Sequence, residues 1–285
     1  MLKIALPIIT ACVFLIGCDF NGTKTNDKDS HQNDSLSYSY KKYDKQLFDC
    51  EKVDSPCAKV SLQSLKVEGE GNAIDSINAK IERRFLNLYG ESEEGLEAYE
   101  SSEELINAFL DEYARIVKDM PDYTSEWLLE RTVEVNFNKL GMFGVSFVDF
   151  SYTGGAHGNS LLLYSNFNSA TGNFIGLQDL LKYEEPLLIA ADIIFRESQN
   201  IQASTKFEDA GFWFDDTGFY LPDNFFLSDM GIHFFYNPYE IAPYSYGAVE
   251  LFISWDEADE FLQDEWKHLP ENVIANSSIP ASSEA

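Results

Sequence analysis

The feature that most narrows what this chain can fold into is a polar tract, Asp19 to Lys42, in which Phe20 and Leu36 are the only aliphatic or phenylalanine residues. A stretch of that make-up cannot bury enough apolar surface to offset the entropy of ordering it. Packing is therefore expected to begin after it, over residues 43–268. Ahead of the tract lies an apolar run, Ile4 to Ile16, interrupted by Pro7 and Thr10 and preceded by Lys3. That run is shorter than the ~20 apolar residues a helix needs to span a bilayer.

One basic residue, a short apolar run and small residues at its end make the layout of a secretory signal, read here as residues 1–17. The end, Leu15-Ile16-Gly17-Cys18, resembles the bacterial lipobox. The resemblance implies cleavage before Cys18, diacylglycerol on its thiol, acylation of the new amine (palmitate), and a lipid bilayer as first partner. Two or three acyl chains hold a protein where one alone is marginal. An uncleaved anchor, or an ordinary signal with an incidental cysteine, is the plainer alternative. On this reading residues 18–42 are a disordered tether and 269–285 a flexible tail. The expected place is the cell envelope, extracytoplasmic and lipid-anchored. Asp19 resembles an inner-membrane retention signal.

The formal charge is −28, and without residues 1–17 it is −29, since only Lys3 is lost. Residues 201–285 carry 16 acids against two lysines. Such a surface repels nucleic acid and steers cationic partners inward. Solubility in a saline or acidic habitat explains the same charge equally well. With Cys12 in the signal and Cys18 lipidated, Cys50 and Cys57 remain. In an oxidising compartment they are expected to form a disulfide, stabilising by about 2–3 kcal/mol through loop closure.

The expected fold class is α+β with mostly antiparallel sheets and packed helices: a smaller N-terminal unit over 43–125, then a larger C-terminal unit over 126–268. Strands are expected at 43–49 and 58–67. A helix follows with Ile74, Ile77, Ile81, Phe85 and Leu88 on one face and Asn72 as cap. After the acidic link from Glu91 to Glu104, read as solvated, a second helix is capped by Ser101 and Glu104. Its stripe is Leu105, Phe109, Tyr113, Ile116 and Met120. Val133, Val135 and Phe137 alternate as in a strand, and further strands are expected at 143–152, 160–168, 225–236 and 248–254. Residues 177–198 and 255–266 read as helices.

Two runs stand out. Tyr152-Thr153-Gly154-Gly155-Ala156-His157-Gly158-Asn159 lies between two strands. Its glycines and His157 suit an exposed nest of amides with an imidazole, able to take a carboxylate or a partner backbone. It equally suits a wide hairpin loop whose histidine caps a carbonyl. The second run, Tyr236 to Gly247, holds four tyrosines and two prolines. Its rings suit a contact surface or carbohydrate site, or simple packing on a sheet. The candidate ligand-binding residues are Tyr152, Gly154, Gly155, His157, Asn159, Tyr239, Glu240, Tyr244 and Tyr246.

Together, Gly-Gly-Ala-His-Gly-Asn and Tyr-Asn-Pro-Tyr-Glu-Ile-Ala-Pro-Tyr resemble the extracytoplasmic domain of RsiV-type anti-sigma factors, related to domains beside PdaC-like peptidoglycan deacetylases. The likeness spans roughly 43–265. It implies a domain that in some members binds lysozyme. The chain shows no anti-sigma segment and no Asp-His-His deacetylase domain, so only binding carries over.

No His-Glu-x-x-His, Gly-x-Ser-x-Gly, phosphate loop, dinucleotide fingerprint or Cys-x-x-Cys occurs, and no catalytic residue, metal ligand or cofactor is expected. The Asp27–Asp34 tract lacks the glycine of a calcium loop. Asp215-Asp216 and the acids of 255–266 read as solvated. The leading expectation is a non-catalytic envelope lipoprotein that binds a lysozyme-like cationic protein or a peptidoglycan glycan. A carboxylate-based glycan hydrolase and a structural envelope lipoprotein are the alternatives.

Overall fold

The computed structural model describes residues 35–52, 55–88, 98–214, 218–267 and 269. The signal, the lipobox with Cys18, most of the tether, the acids from Glu91 to Glu97, Asp215-Asp216 and the tail beyond 269 lie outside them.

A five-stranded sheet holds β1 (Tyr38–Leu47), β2 (Ala58–Val67), β3 (Trp127–Lys139), β4 (Met142–Tyr152) and β5 (Asn159–Asn168), in that order. Every neighbouring pair is antiparallel except β2 and β3. A parallel pair needs a long crossover. Here it is made by α1 (Asn72–Leu86) and α2 (Ser102–Asp119). Ile77, Ile81 and Phe85 of α1 pack with Val60, Leu62, Val133, Val145 and Phe147 in the first core.

The second sheet is smaller: β6 (Phe225–Leu227), β7 (Gly231–Tyr236) and β8 (Val249–Ser254), all antiparallel. Preceding it are α3 (Leu177–Leu180) and α4 (Glu184–Ser198), and α5 (Trp255–Ala258) follows. Phe195 of α4 is fully buried, its ring 5.2 Å from Phe212 and 5.4 Å from Phe219. The class is α+β with mostly antiparallel strands, as expected.

Several expectations change. The first strand begins at Tyr38, inside the expected tether, and even Leu36 is held, its N–H and C=O paired with the Asn138 amide at 2.8 Å each. The boundary placed at 125/126 lies in the α2–β3 connection, and β3 beyond it pairs with β2 in the same sheet. Gly71, not Asn72, caps α1. Ser101 does cap α2, but the Glu104 carboxylate takes the N–H of Glu100 rather than that of Ser101. Met120 is exposed past the end of the α2 stripe.

The helix expected over 177–198 is two. Pro186 has no N–H to give to a carbonyl one turn earlier, so a helix containing it must start close before it. A turn at Ser228 divides the strand expected over 225–236. Residues 255–266 form α5, a 3-10 turn at Asp259–Phe261, and a bridge from Leu262 to Leu181. Leu269, first residue of the expected tail, is fully buried.

Cys50 and Cys57 are disulfide-bonded across the β1–β2 connection. Beside them Tyr113 of α2 accepts the Cys57 N–H at 2.6 Å and donates to the Ser125 carbonyl at 3.0 Å, tying the helix to the starts of β2 and β3. Deeper in the sheet, Arg131 and Asp149 are direct cross-strand partners, both buried, with Nε to Oδ1 at 2.6 Å. Arg131 also donates to the Phe85 and Leu86 carbonyls at the end of α1. Removing one partner strands a buried charge, so Asp149→Ala is expected to lose about 3–5 kcal/mol of stability. The double change Arg131→Met with Asp149→Leu is expected to lose clearly less. Urea unfolding of the parent and both variants checks this, and a double variant that loses as much as Asp149→Ala would contradict it.

Candidate functional site

Among the described residues the outer edge of β5 pairs with no named strand beyond the single Phe167–Phe174 bridge, and side-chain amides meet its backbone groups instead. Asn237 accepts the Leu162 N–H at 2.8 Å and donates to the Leu162 carbonyl at 3.0 Å. Asn224 accepts the Tyr164 N–H and donates to both Leu162 and Phe235 carbonyls. Asn166 of β5 donates in return to the Phe225 carbonyl at 2.9 Å. These bonds lay the segment after β7 along the edge of the first sheet, next to the β4–β5 loop.

The two distinctive runs meet there. The His157 ring stacks on Tyr244, centroids 4.1 Å apart and planes within 17°. Both rings address one atom, the Gly158 carbonyl, through His157 Nδ1 at 2.8 Å and the Tyr244 hydroxyl at 3.1 Å. A carbonyl only accepts, so Nδ1 carries the proton, and in that neutral tautomer Nε2 is the ring's acceptor. Tyr239 continues the line 5.4 Å from Tyr244, and both His157 and Tyr239 are exposed. Tyr239 has φ +71°, a left-handed conformation held by the turn in which the Glu240 N–H donates to the Asn237 carbonyl.

The loop under His157 needs its glycines. A Cβ at Gly154 (φ +87°) would lie 2.5 Å from the Tyr123 hydroxyl, and one at Gly158 would lie 2.5 Å from the Phe150 ring. Tyr152 braces the loop, its hydroxyl donating to the Gly155 carbonyl at 3.0 Å. His157 therefore does cap a carbonyl, as the plainer reading of the run has it, and it also presents a ring.

Other candidates lie apart from this ledge of rings. Asn159 sits in the ladder opposite Ser151. Tyr246 turns away, its hydroxyl on Gln199 Oε1 at 2.5 Å and its ring 5.0 Å from Phe212, beside a cleft of about 600 Å³. Glu240 borders another cleft, of about 500 Å³, with Asn237, Asn224, Tyr220 and Arg84. Burial pushes its carboxyl above the ordinary range, against the lowering effect of the Asn237 N–H at 2.9 Å. Burial likewise lowers the Arg84 guanidinium from its usual value. Sequence reasoning missed Arg84, Gln199 and the amides of Asn224 and Asn237, for nothing local marks them.

The fold around this site is shared by two solved structures of the DUF3298 family. One, from Bacteroides fragilis, is 20% identical with a TM-score of 0.66; the other, from Pseudomonas aeruginosa, is 19% identical with a TM-score of 0.62. Each alignment covers 82% of this chain and 97% of the other. Two family models match in series: "Deacetylase PdaC" over residues 51–160, ending just past His157, and "Protein of unknown function (DUF3298)" over 177–256, which contains the tyrosine run. Neither description names an anti-sigma factor, and no curated protein matches the chain.

Burial makes the charged form of Glu240 the less favourable one in the fold. The folded state takes up the carboxyl proton more readily than the unfolded chain, so ionised Glu240 weakens the fold at neutral pH. Glu240→Gln is expected to be more stable than the parent at pH 7. The gap should close as pH falls through the raised pKa and the ordinary carboxylate range. Denaturant melts at several pH values read this out, and a variant no more stable at pH 7 would contradict it.

Proposed function

We propose that this is an exported, lipid-anchored envelope protein whose His157–Tyr244–Tyr239 ledge docks a cationic protein of the lysozyme kind. One observation carries the reading: two runs distant in sequence converge on the Gly158 carbonyl and leave aromatic rings facing outward. Exposed ring faces attract the ammonium and guanidinium groups of a basic partner, and the net charge of −28 draws such a partner in. The Cys50–Cys57 disulfide fits an oxidising, extracytoplasmic compartment. No helix among the described residues is long and apolar enough to cross a membrane, and acyl chains on Cys18 would supply the attachment.

A peptidoglycan glycan is the second ligand class, favoured by the same rings, on which sugar rings can lie. Deacetylation is not carried over from the name of the matching model. His157 is the single histidine within residues 51–160, so an Asp-His-His metal set has no place there.

Isothermal titration of the full chain with lysozyme, across a salt series, tests the proposal. Binding is expected at low salt and should weaken as salt rises. His157→Ala and Tyr239→Ala should each weaken it about tenfold, as for a central aromatic contact. Absence of binding even at low salt removes the cationic-protein reading. Binding of soluble muropeptides, lost in the same two variants, would transfer the ledge to a glycan.

A further inference from the structure

At the opposite end of β7 from the tyrosine run, three side chains line up that no local motif announces. Ser228 closes the β6–β7 turn, His233 lies on β7 and Glu250 on β8. Ser228 Oγ is 2.8 Å from His233 Nε2, and His233 Nδ1 is 2.5 Å from Glu250 Oε1. The ionised carboxylate only accepts, so Nδ1 carries the proton and Nε2 turns its lone pair to the serine hydroxyl. The imidazole lies between its cross-strand partners, stacked on Phe226 at 4.3 Å and against the tilted Phe252 ring at 4.6 Å. Its side chain is only 13% exposed, so its orientation is fixed.

Ser228 Oγ has three further contacts: the Gly231 carbonyl at 3.3 Å, a more distant acceptor for its proton than His233 Nε2 at 2.8 Å, and two backbone donors. The N–H groups of Met230 and Gly231 donate to it at 3.1 and 3.3 Å. Backbone donors aimed at an oxygen favour negative charge there, which is what a serine develops as it gives up its proton. A nucleophile, a base and a group orienting the base, in hydrogen-bond sequence, is the arrangement that activates a serine.

We propose that Ser228, His233 and Glu250 form a serine hydrolase centre for neutral acyl esters, with Ser228 and His233 catalytic and Glu250 a positioning residue. Phe226 and Phe252 flank the imidazole, Tyr164 packs on Phe226, and Met230, next but one to the serine in sequence, is exposed. An apolar ester fits that surround, while the carboxylates of Asp229 and Glu250 disfavour an anionic one. Ser228 Oγ attacks the ester carbonyl carbon as its proton passes to His233 Nε2. The C–O bond to the alcohol breaks, and that proton leaves with the alkoxide as the free alcohol. Water then gives a proton to Nε2 and attacks the acyl-serine. The acid departs and the proton returns to Oγ, so serine and imidazole end unchanged and one water is consumed. This centre is separate from the ring ledge, and either can fail without the other.

The test is labelling of the wild-type full chain with a fluorophosphonate probe, with the adduct located by mass spectrometry, together with hydrolysis of p-nitrophenyl acetate. A single adduct on Ser228 and hydrolysis above buffer are expected. Ser228→Ala should abolish labelling and lower kcat by about 10³-fold or more, as for loss of a nucleophile. Glu250→Gln should lower kcat while leaving KM unchanged, a split that general loosening of the sheet would not give. The wild-type labelling needs no variant, so a misfolded mutant cannot mask the answer. A folded wild type that is unlabelled at Ser228, or hydrolysis that persists in Ser228→Ala, overturns the proposal.

Discussion

A strand at the edge of a sheet leaves a row of its N–H and C=O groups without partners, and this fold answers that constraint with asparagine amides. A primary amide donates and accepts side by side, as a backbone segment does, so one side chain can stand in for a strand. Asn237 does this for Leu162, Asn138 for Leu36, and Asn78 for Val67, where β2 runs on past its pairing with β3. The Asn237 and Asn224 pairings fix where the second sheet lies against the first. They thereby decide that Tyr244 reaches His157. Without them the two distinctive runs would be unrelated loops.

The buried Arg131–Asp149 pair plays a parallel part inside the first layer. Its guanidinium joins β3, β4 and the carbonyl end of α1, where the helix dipole also favours a cation. The bulge between Val135 and Phe137 changes which face the strand presents. Val133 therefore belongs to the first core and Phe137 to the second. One long hairpin serves both layers.

Much of this was legible in the sequence where burial is one-sided. The alternation around Val133 and the three-and-four spacing of Ile77, Ile81 and Phe85 gave their elements directly. The start of β1 was hidden because Tyr38 to Lys42 are all exposed, so no alternation marks them. The breaks at Ser228 and before Pro186 are matters of single residues, which a window of periodicity smooths over. The tyrosine and glycine runs were visible as composition, but their meeting depends on amides far away in sequence. Ser228, His233 and Glu250 are on three different elements, and no spacing rule could have joined them.

The lone parallel pairing in the large sheet bears on how the molecule is made. The β1–β2 hairpin and the β3–β4–β5 meander are each local and quick to form. Their union waits on two helices wrapping across, a step dominated by contacts distant along the chain and therefore slow. Until then both β2 and β3 show bare, sticky margins, and a newly emerged copy is most exposed to mispairing with its neighbours during that interval.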